Sequence, residues 1–294
     1  MVGVVLAFVS SLLWGASDFT GGVSSRKSTA LHATLWSFVS ATAVCGVVAA
    51  AWASPASSVA IIAGIVAGIC GLGGFLALYA SLATAPMGVV TVIVGAVEAI
   101  IPVVVGVAWL KESLSPLAWV GVAVAMIGAG LLGLAEGGAG KASIGPLILA
   151  AASGAFFGLS VVALDYAPED SGINVAAIEL AVGLVLLVVL AALVARSDAV
   201  RRVSHTIGIA AGPIVRGSRA TVIALIAGVF LAAANITLLL ALREGQLAVV
   251  GVVLCLYPVT TAVLARFILG ERLTWKHIGA IAIALGGCVL LAVA

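Results

Sequence analysis

Ten runs of about 20 apolar residues follow one another along this chain of 294 residues, each cut off by turn formers or charges, and no other feature limits the fold so strictly. In hydrocarbon the backbone has to satisfy its own N–H and C=O groups, so runs of this length read as membrane-crossing helices. Their extents are 2–22, 31–53, 58–83, 87–110, 115–135, 145–166, 174–195, 219–242, 246–269 and 275–293. Composition agrees, with 64% hydrophobic and 8% charged residues, where soluble domains carry about 25% charge. The expected fold class is an all-α integral membrane protein with ten transmembrane helices.

Several function classes drop out. No basic stripe with interleaved aromatics supports nucleic-acid binding. Cys45, Cys70, Cys255 and Cys288 fall inside apolar runs without metal spacing and read as small buried hydrophobes, so neither a metal nor a cofactor is expected. HExxH, GxSxG and paired intramembrane aspartates are missing, which argues against an intramembrane enzyme. No positive residue precedes the first apolar run, so a cleaved signal peptide is not expected either.

The spans repeat. SLATAPMGVV (81–90) aligns with ALREGQLAVV (241–250), KESLSPLAWVG (111–121) with GERLTWKHIGA (270–280), and LLWGAS (12–17) with AFFGLS (155–160). The alignments divide the chain into 1–138 and 139–294, five helices each. Five is odd, so the second copy enters the membrane from the opposite side, an inverted repeat of the kind that places a transporter's binding site between its halves. Eleven of the 13 Lys and Arg fall on one set of alternate connections, among them Arg26, Lys27, Arg201 and Arg202; only Lys111 and Arg243 fall on the other. That bias places both termini outside the cytoplasm, and the basic connection 196–219 on anionic headgroups.

The fourth span carries Glu98 near its middle, and burying a charge there costs about 2.5–3.5 kcal/mol, so the carboxylate is expected to face a bundle interior or wet cavity. Glu98 serves either a ligand or proton, or a hydrogen bond between helices. Pro102, four residues on, lacks the N–H that would bond the Glu98 carbonyl. Pro102 and Pro258 are the only two of eight prolines inside spans and are the hinge candidates; Pro55, Pro86, Pro116, Pro146, Pro168 and Pro213 fall in connections or at helix starts.

Other deep polar residues are Ser17, Asp18, Glu179 and Asn235. Asp18 is either functional or paired with Arg26 or Lys27. Asn235 is either a ligand contact or packing glue. Glu179, a turn and a half inside its span, is expected to reach the outer interface and solvent. Trp52, Trp109, Trp119 and Trp275 read as interfacial anchors. Trp14, Tyr79, Phe156, Phe157 and Tyr257 lie deeper; Trp14 and Phe157 hold equivalent seats and are expected to face one central cleft. The small residues Gly121, Ala125 and Gly128, and Ala280, Ala284 and Gly287, suit close packing of the fifth and tenth spans.

WGAS in the first span, LYPVTTAVLARFILGERLTW near the end and its degraded copy VEAIIPVVVGVAWLKESLS resemble the EamA-type drug/metabolite transporters, over almost the whole chain. The seat of Pro258 is held in the first half by Ala99, a departure from strict symmetry. The resemblance implies a secondary transporter in a bacterial inner membrane, similar to the YddG-like amino-acid exporter branch, with both termini periplasmic. It implies a small-molecule substrate, membrane lipid as surroundings and a monomer. Trp14, Ser17, Tyr79, Glu98, Phe156, Phe157, Asn235 and Tyr257 are the expected substrate contacts, Glu98 the expected ammonium or proton site. A broader drug or nucleotide-sugar carrier is the alternative, because no deep lysine or arginine is at hand for a substrate carboxylate.

Overall fold

The computed structural model describes residues 1–52, 54, 57–84, 87–136, 144–206, 208–210, 218–268 and 275–294. Pro55, Pro86, Pro213, Glu271, Arg272 and the boundary at 138/139 lie outside them, as does the Cys288 side chain. Among the described residues there are helices and connections and no strand. The α-helices are α1 (Val2–Lys27), α2 (Ala30–Trp52), α3 (Ser58–Thr84), α4 (Met87–Val104), α5 (Pro116–Glu136), α6 (Ile144–Asp165), α7 (Asn174–Arg196), α8 (Asp198–Thr206), α9 (Ser218–Glu244), α10 (Leu247–Leu254), α11 (Tyr257–Ile268) and α12 (Trp275–Val293). Six of them, α1, α2, α3, α6, α7 and α9, are long and apolar enough to cross a membrane, and Ile93–Trp109, Pro116–Gly128, Leu247–Thr261 and Ile278–Leu291 are shorter apolar helical stretches.

Three elements differ from the sequence expectation. The first helix runs on past residue 22 to Lys27, because Thr20 and Ser25 bond back to carbonyls of their own helix and Ser24 bonds to Ala220 of α9. The connection 196–219 contains α8, an amphipathic helix; Arg201 pairs with Asp198 at 3.1 Å and donates to the carbonyls of Val194 and Ala195 at the end of α7. The stretch 246–269 is two helices, because Pro258 cannot donate to the Leu254 carbonyl four residues back and its ring crowds it; the chain turns at Cys255 and Leu256 and α11 starts at Tyr257. After Pro102, α4 instead loosens into a π turn over Val105–Trp109 without breaking. Glu112 then accepts hydrogen bonds from the N–H groups of Leu247 (2.7 Å) and Ala248 (3.0 Å), so this carboxylate caps α10.

The helix pairings repeat. α1 lies on α9 as α6 lies on α3, α2 on α9 as α7 on α3, and α4 on α6 as α10 and α11 on α1; α5 pairs with α12. The same hydrogen bonds recur. Ser10 donates to Ala234 O (2.8 Å) and Ser153 to Gly74 O (2.8 Å); Ser17 donates to Ala227 O (3.0 Å) and Ser160 to Ala67 O (3.1 Å). Small residues sit where backbones cross: Gly15 on Tyr257 and Thr260, Gly158 on Glu98 and Ile101, Gly128 on Ala284, Gly287 on Ala125. Trp52, Trp109, Trp119 and Trp275 are all exposed at helix ends.

A Cβ added to Gly128 would meet backbone atoms of Ala284, so neither helix can yield locally, whereas one added to Gly130 meets nothing within 4 Å. Gly128→Ala is expected to destabilise the bundle by about 1–3 kcal/mol, the usual cost of overpacking. Gly130→Ala is expected to leave stability unchanged or slightly raised, and a thermal-shift series on the purified protein compares the two.

Candidate functional site

The centre of the bundle is aromatic. The Trp14 ring stacks on Phe75 at 5.6 Å between centroids, and Phe157 meets both edge-on, 5.9 Å from Trp14 and 5.1 Å from Phe75. Phe38 and Tyr79 complete the cluster from α2 and α3, 5.5 and 5.9 Å from Phe75. Such contacts are worth about 0.5–1.5 kcal/mol each beyond burial, so the cluster gives the crossing of α1, α3 and α6 a rigid wall. Trp14 and Phe157 thus meet at one place, each one residue before the glycine that lets its helix approach a partner.

Polar groups gather against that wall. Trp14, Gly71, Glu98, Phe157, Ser160, Glu179 and Asn235 line a cavity of about 10 Å³, enough for about one water. Glu179 accepts from Ser160 Oγ at 3.2 Å and from Asn235 Nδ2 at 3.0 Å. Across from it, Glu98 is buried and, among the described residues, its Oε2 has no hydrogen-bond partner; Asn235 Oδ1 and Trp14 Nε1 are equally buried atoms without one. Tyr257 holds the seat equivalent to Glu98, each with its carbonyl under a crossing glycine, and its hydroxyl and that of Thr260 are also buried without partners. The site thus offers buried acceptors and buried donors but, among its lining residues, no cation. Leaving one such group unmet costs about 1–3 kcal/mol, so the arrangement is held against a stability gradient, as ligand sites are.

Four expectations change. Glu179 is not solvated: it is 6% exposed, because α3 presses Gly68 against its backbone carbonyl and α9 brings Asn235 over its side chain. Phe156 is 39% exposed, its ring lies over Gly73 of α3 and it does not line the pocket, since successive helical residues are turned about 100° from one another. Asp18 is buried and, among the described residues, makes no ion pair with Arg26 or Lys27. Ser17 is spent on Ala227 O, so it joins α1 to α9 and does not open to the cavity. Two participants were not singled out from sequence, Phe75 and Ser160. Ser160 had a signal, its alignment with Ser17; Phe75 had one in its position four residues before Tyr79.

A larger groove of about 550 Å³ opens between α3, α6 and the π turn, lined by Ile62, Val66, Trp109, Leu159 and Val162. Its surface is almost wholly apolar, with Asp165 and Tyr166 the polar side chains among the residues that line it.

A many-helix apolar bundle with polar groups gathered where proline-bearing helices cross their partners has the plan of a multi-pass membrane transporter. The model of the EamA-like transporter family matches residues 1–134 and 145–293, and the chain belongs to that family, within the drug/metabolite transporter superfamily. A solved crystal structure is similar over 99% of this chain and 96% of its own, with a TM-score of 0.74 at 18% identity, which shows a shared fold. No curated protein matches in sequence.

Replacing Phe75 by alanine removes the ring that touches all the others, and a loss of about 3–5 kcal/mol is expected. Phe156→Ala is expected to cost far less. Thermal unfolding of both variants in the same detergent measures the difference.

Proposed function

We propose that this protein is a secondary transporter of ten spans that exports amino acids and related small metabolites across a bacterial inner membrane by alternating access, with both termini periplasmic. Two oppositely inserted five-helix copies, residues 1–138 and 139–294, would rock about the buried pocket. The reciprocal serine bonds support that symmetry, and so do the two segments that match the family. Pro102 with its π turn, and Pro258 with the break at Cys255 and Leu256, supply the places where helices bend.

The observation that carries the substrate class is the set of buried polar atoms without partners. Glu98 Oε2 and Asn235 Oδ1 suit an ammonium group. Trp14 Nε1–H and the hydroxyls of Tyr257 and Thr260 suit a carboxylate without a lysine or arginine. The aromatic wall suits an apolar side chain. A carrier of lipophilic drugs is the second reading, favoured by the apolar groove that opens beside α3 and α6.

Proteoliposomes separate the readings when offered L-leucine, its decarboxylated amine, its deaminated acid and a lipophilic dye, each with and without a pH gradient. Saturable movement of L-leucine with rejection of the two truncated analogues is expected. Glu98→Gln is expected to slow L-leucine about tenfold to a hundredfold, the worth of a charge-assisted hydrogen bond of about 1.5–3 kcal/mol. A rate equal to wild type at every pH removes Glu98 from the mechanism.

A further inference from the structure

We propose that Glu179 is a proton-binding site separate from the carboxylate that meets substrate, and that its charge decides which helix the Ser160 hydroxyl bonds to. Its part in coupling rests on the transporter reading above; the proton site itself does not.

The inference starts from one asymmetry in a repeated bond. Ser10, Ser153 and Ser17 each donate to a single carbonyl on the facing helix. Ser160, the counterpart of Ser17, has two acceptors within reach, Ala67 O of α3 at 3.1 Å and Glu179 Oε1 of α7 at 3.2 Å. A hydroxyl has one proton to give. When Glu179 is ionised, the charge-assisted bond is about twice as strong as the neutral one, so the proton turns to α7. When Glu179 is protonated that pull is gone, and Ser160 bonds α3 as Ser17 bonds α9.

Asn235 completes the site, because an amide carries a donor and an acceptor side by side. Its Nδ2 donates to Glu179 Oε2 at 3.0 Å while its Oδ1 is unpartnered. Turning the amide over puts Oδ1 in place to accept from a protonated Oε2. Oε2 therefore keeps a hydrogen bond to Asn235 in both protonation states, whereas Oε1 accepts from Ser160 only when Glu179 is ionised.

Among the described residues the surroundings contain no counter-charge. The titratable groups facing Glu179 are the thiols of Cys45 on α2 and Cys70 on α3, with Glu98 of α4 across the cavity. On α9, Arg243 lies about 12 Å beyond Asn235 along the helix and donates to the carbonyls of Ala167 and Pro168. The charged groups of α8 stand at the opposite end of α7. An ionised Glu179 is thus costly until a cation enters the pocket, so arrival of a substrate ammonium and departure of the proton favour each other. The proton taken up on Oε2 comes from, and returns to, the water on the side to which the pocket is open.

Infrared difference spectroscopy of the full chain in phosphatidylethanolamine and phosphatidylglycerol vesicles, stepped through pH, reads protonated carboxyl groups directly. Glu179→Gln is expected to abolish one titrating component that Glu98→Gln retains, and Ser160→Ala, which takes a hydrogen bond from the ionised form alone, to shift the pH at which that component appears. A Glu179→Gln spectrum that keeps every wild-type component, or a component indifferent to Ser160→Ala, overturns the proposal. In proteoliposomes, the ratio of L-leucine uptake with and without a pH gradient is expected to fall to one in Glu179→Gln. A ratio retained in that variant, or a ratio of one in wild type, contradicts coupling. A wild-type protein that moves no L-leucine sinks the amino-acid reading, and the infrared result still decides the proton site.

Discussion

A polar group inside hydrocarbon must find its hydrogen bond in the protein, and the architecture follows from how this chain meets that demand. Serines on α1 and α6 donate to backbone carbonyls of α9 and α3, which needs the helices to run close; Gly3 of α1 lies against the backbone of Glu244 in α9, and Gly74 of α3 lies under the Phe157 ring of α6. Tight packing and polar satisfaction are therefore one constraint. Each of these bonds occurs twice, once from α1 and once from α6.

Against that background the exceptions mark the site. Among the described residues most buried hydroxyls are satisfied; besides Asp18, Thr42 and Arg243, the residues that keep a buried atom unpartnered are Glu98, Asn235, Trp14, Tyr257 and Thr260. Glu98, Trp14, Tyr257 and Thr260 sit where α1 and α6 cross the two helices interrupted near proline, and Asn235 lines the cavity beside Glu98. The symmetry fails at the same place. The Glu98 carbonyl lies under Gly158 as the Tyr257 carbonyl lies under Gly15, and Ser160 has a carboxylate to answer to where Ser17 has none.

Much of this was legible in the residues. Six of the ten expected spans coincide with helices long and apolar enough to cross hydrocarbon, and the WGAS and FFGLS copies placed Trp14 and Phe157 together because both precede a crossing glycine. What escaped reading depends on which face of a helix a neighbour covers. Glu179 lies at a depth from which an extended side chain could reach water; only the approach of α3 and the placement of Asn235 enclose it. Phe156 and Phe157 are indistinguishable by composition, and a single helical step turns one outward. The break before Tyr257 was half legible, since proline names the place of an interruption without saying whether the helix bends, loosens as at Val105–Trp109, or stops.

The central claim is that substrate sits against the aromatic wall beside Glu98. The chain has six tryptophans, and replacing the other five by phenylalanine leaves Trp14 as a single reporter buried in that wall. In a variant that still transports L-leucine, the account predicts a saturable change in Trp14 emission whose half-saturation matches that of transport. Transport that persists with Trp14 emission unmoved would place the substrate elsewhere.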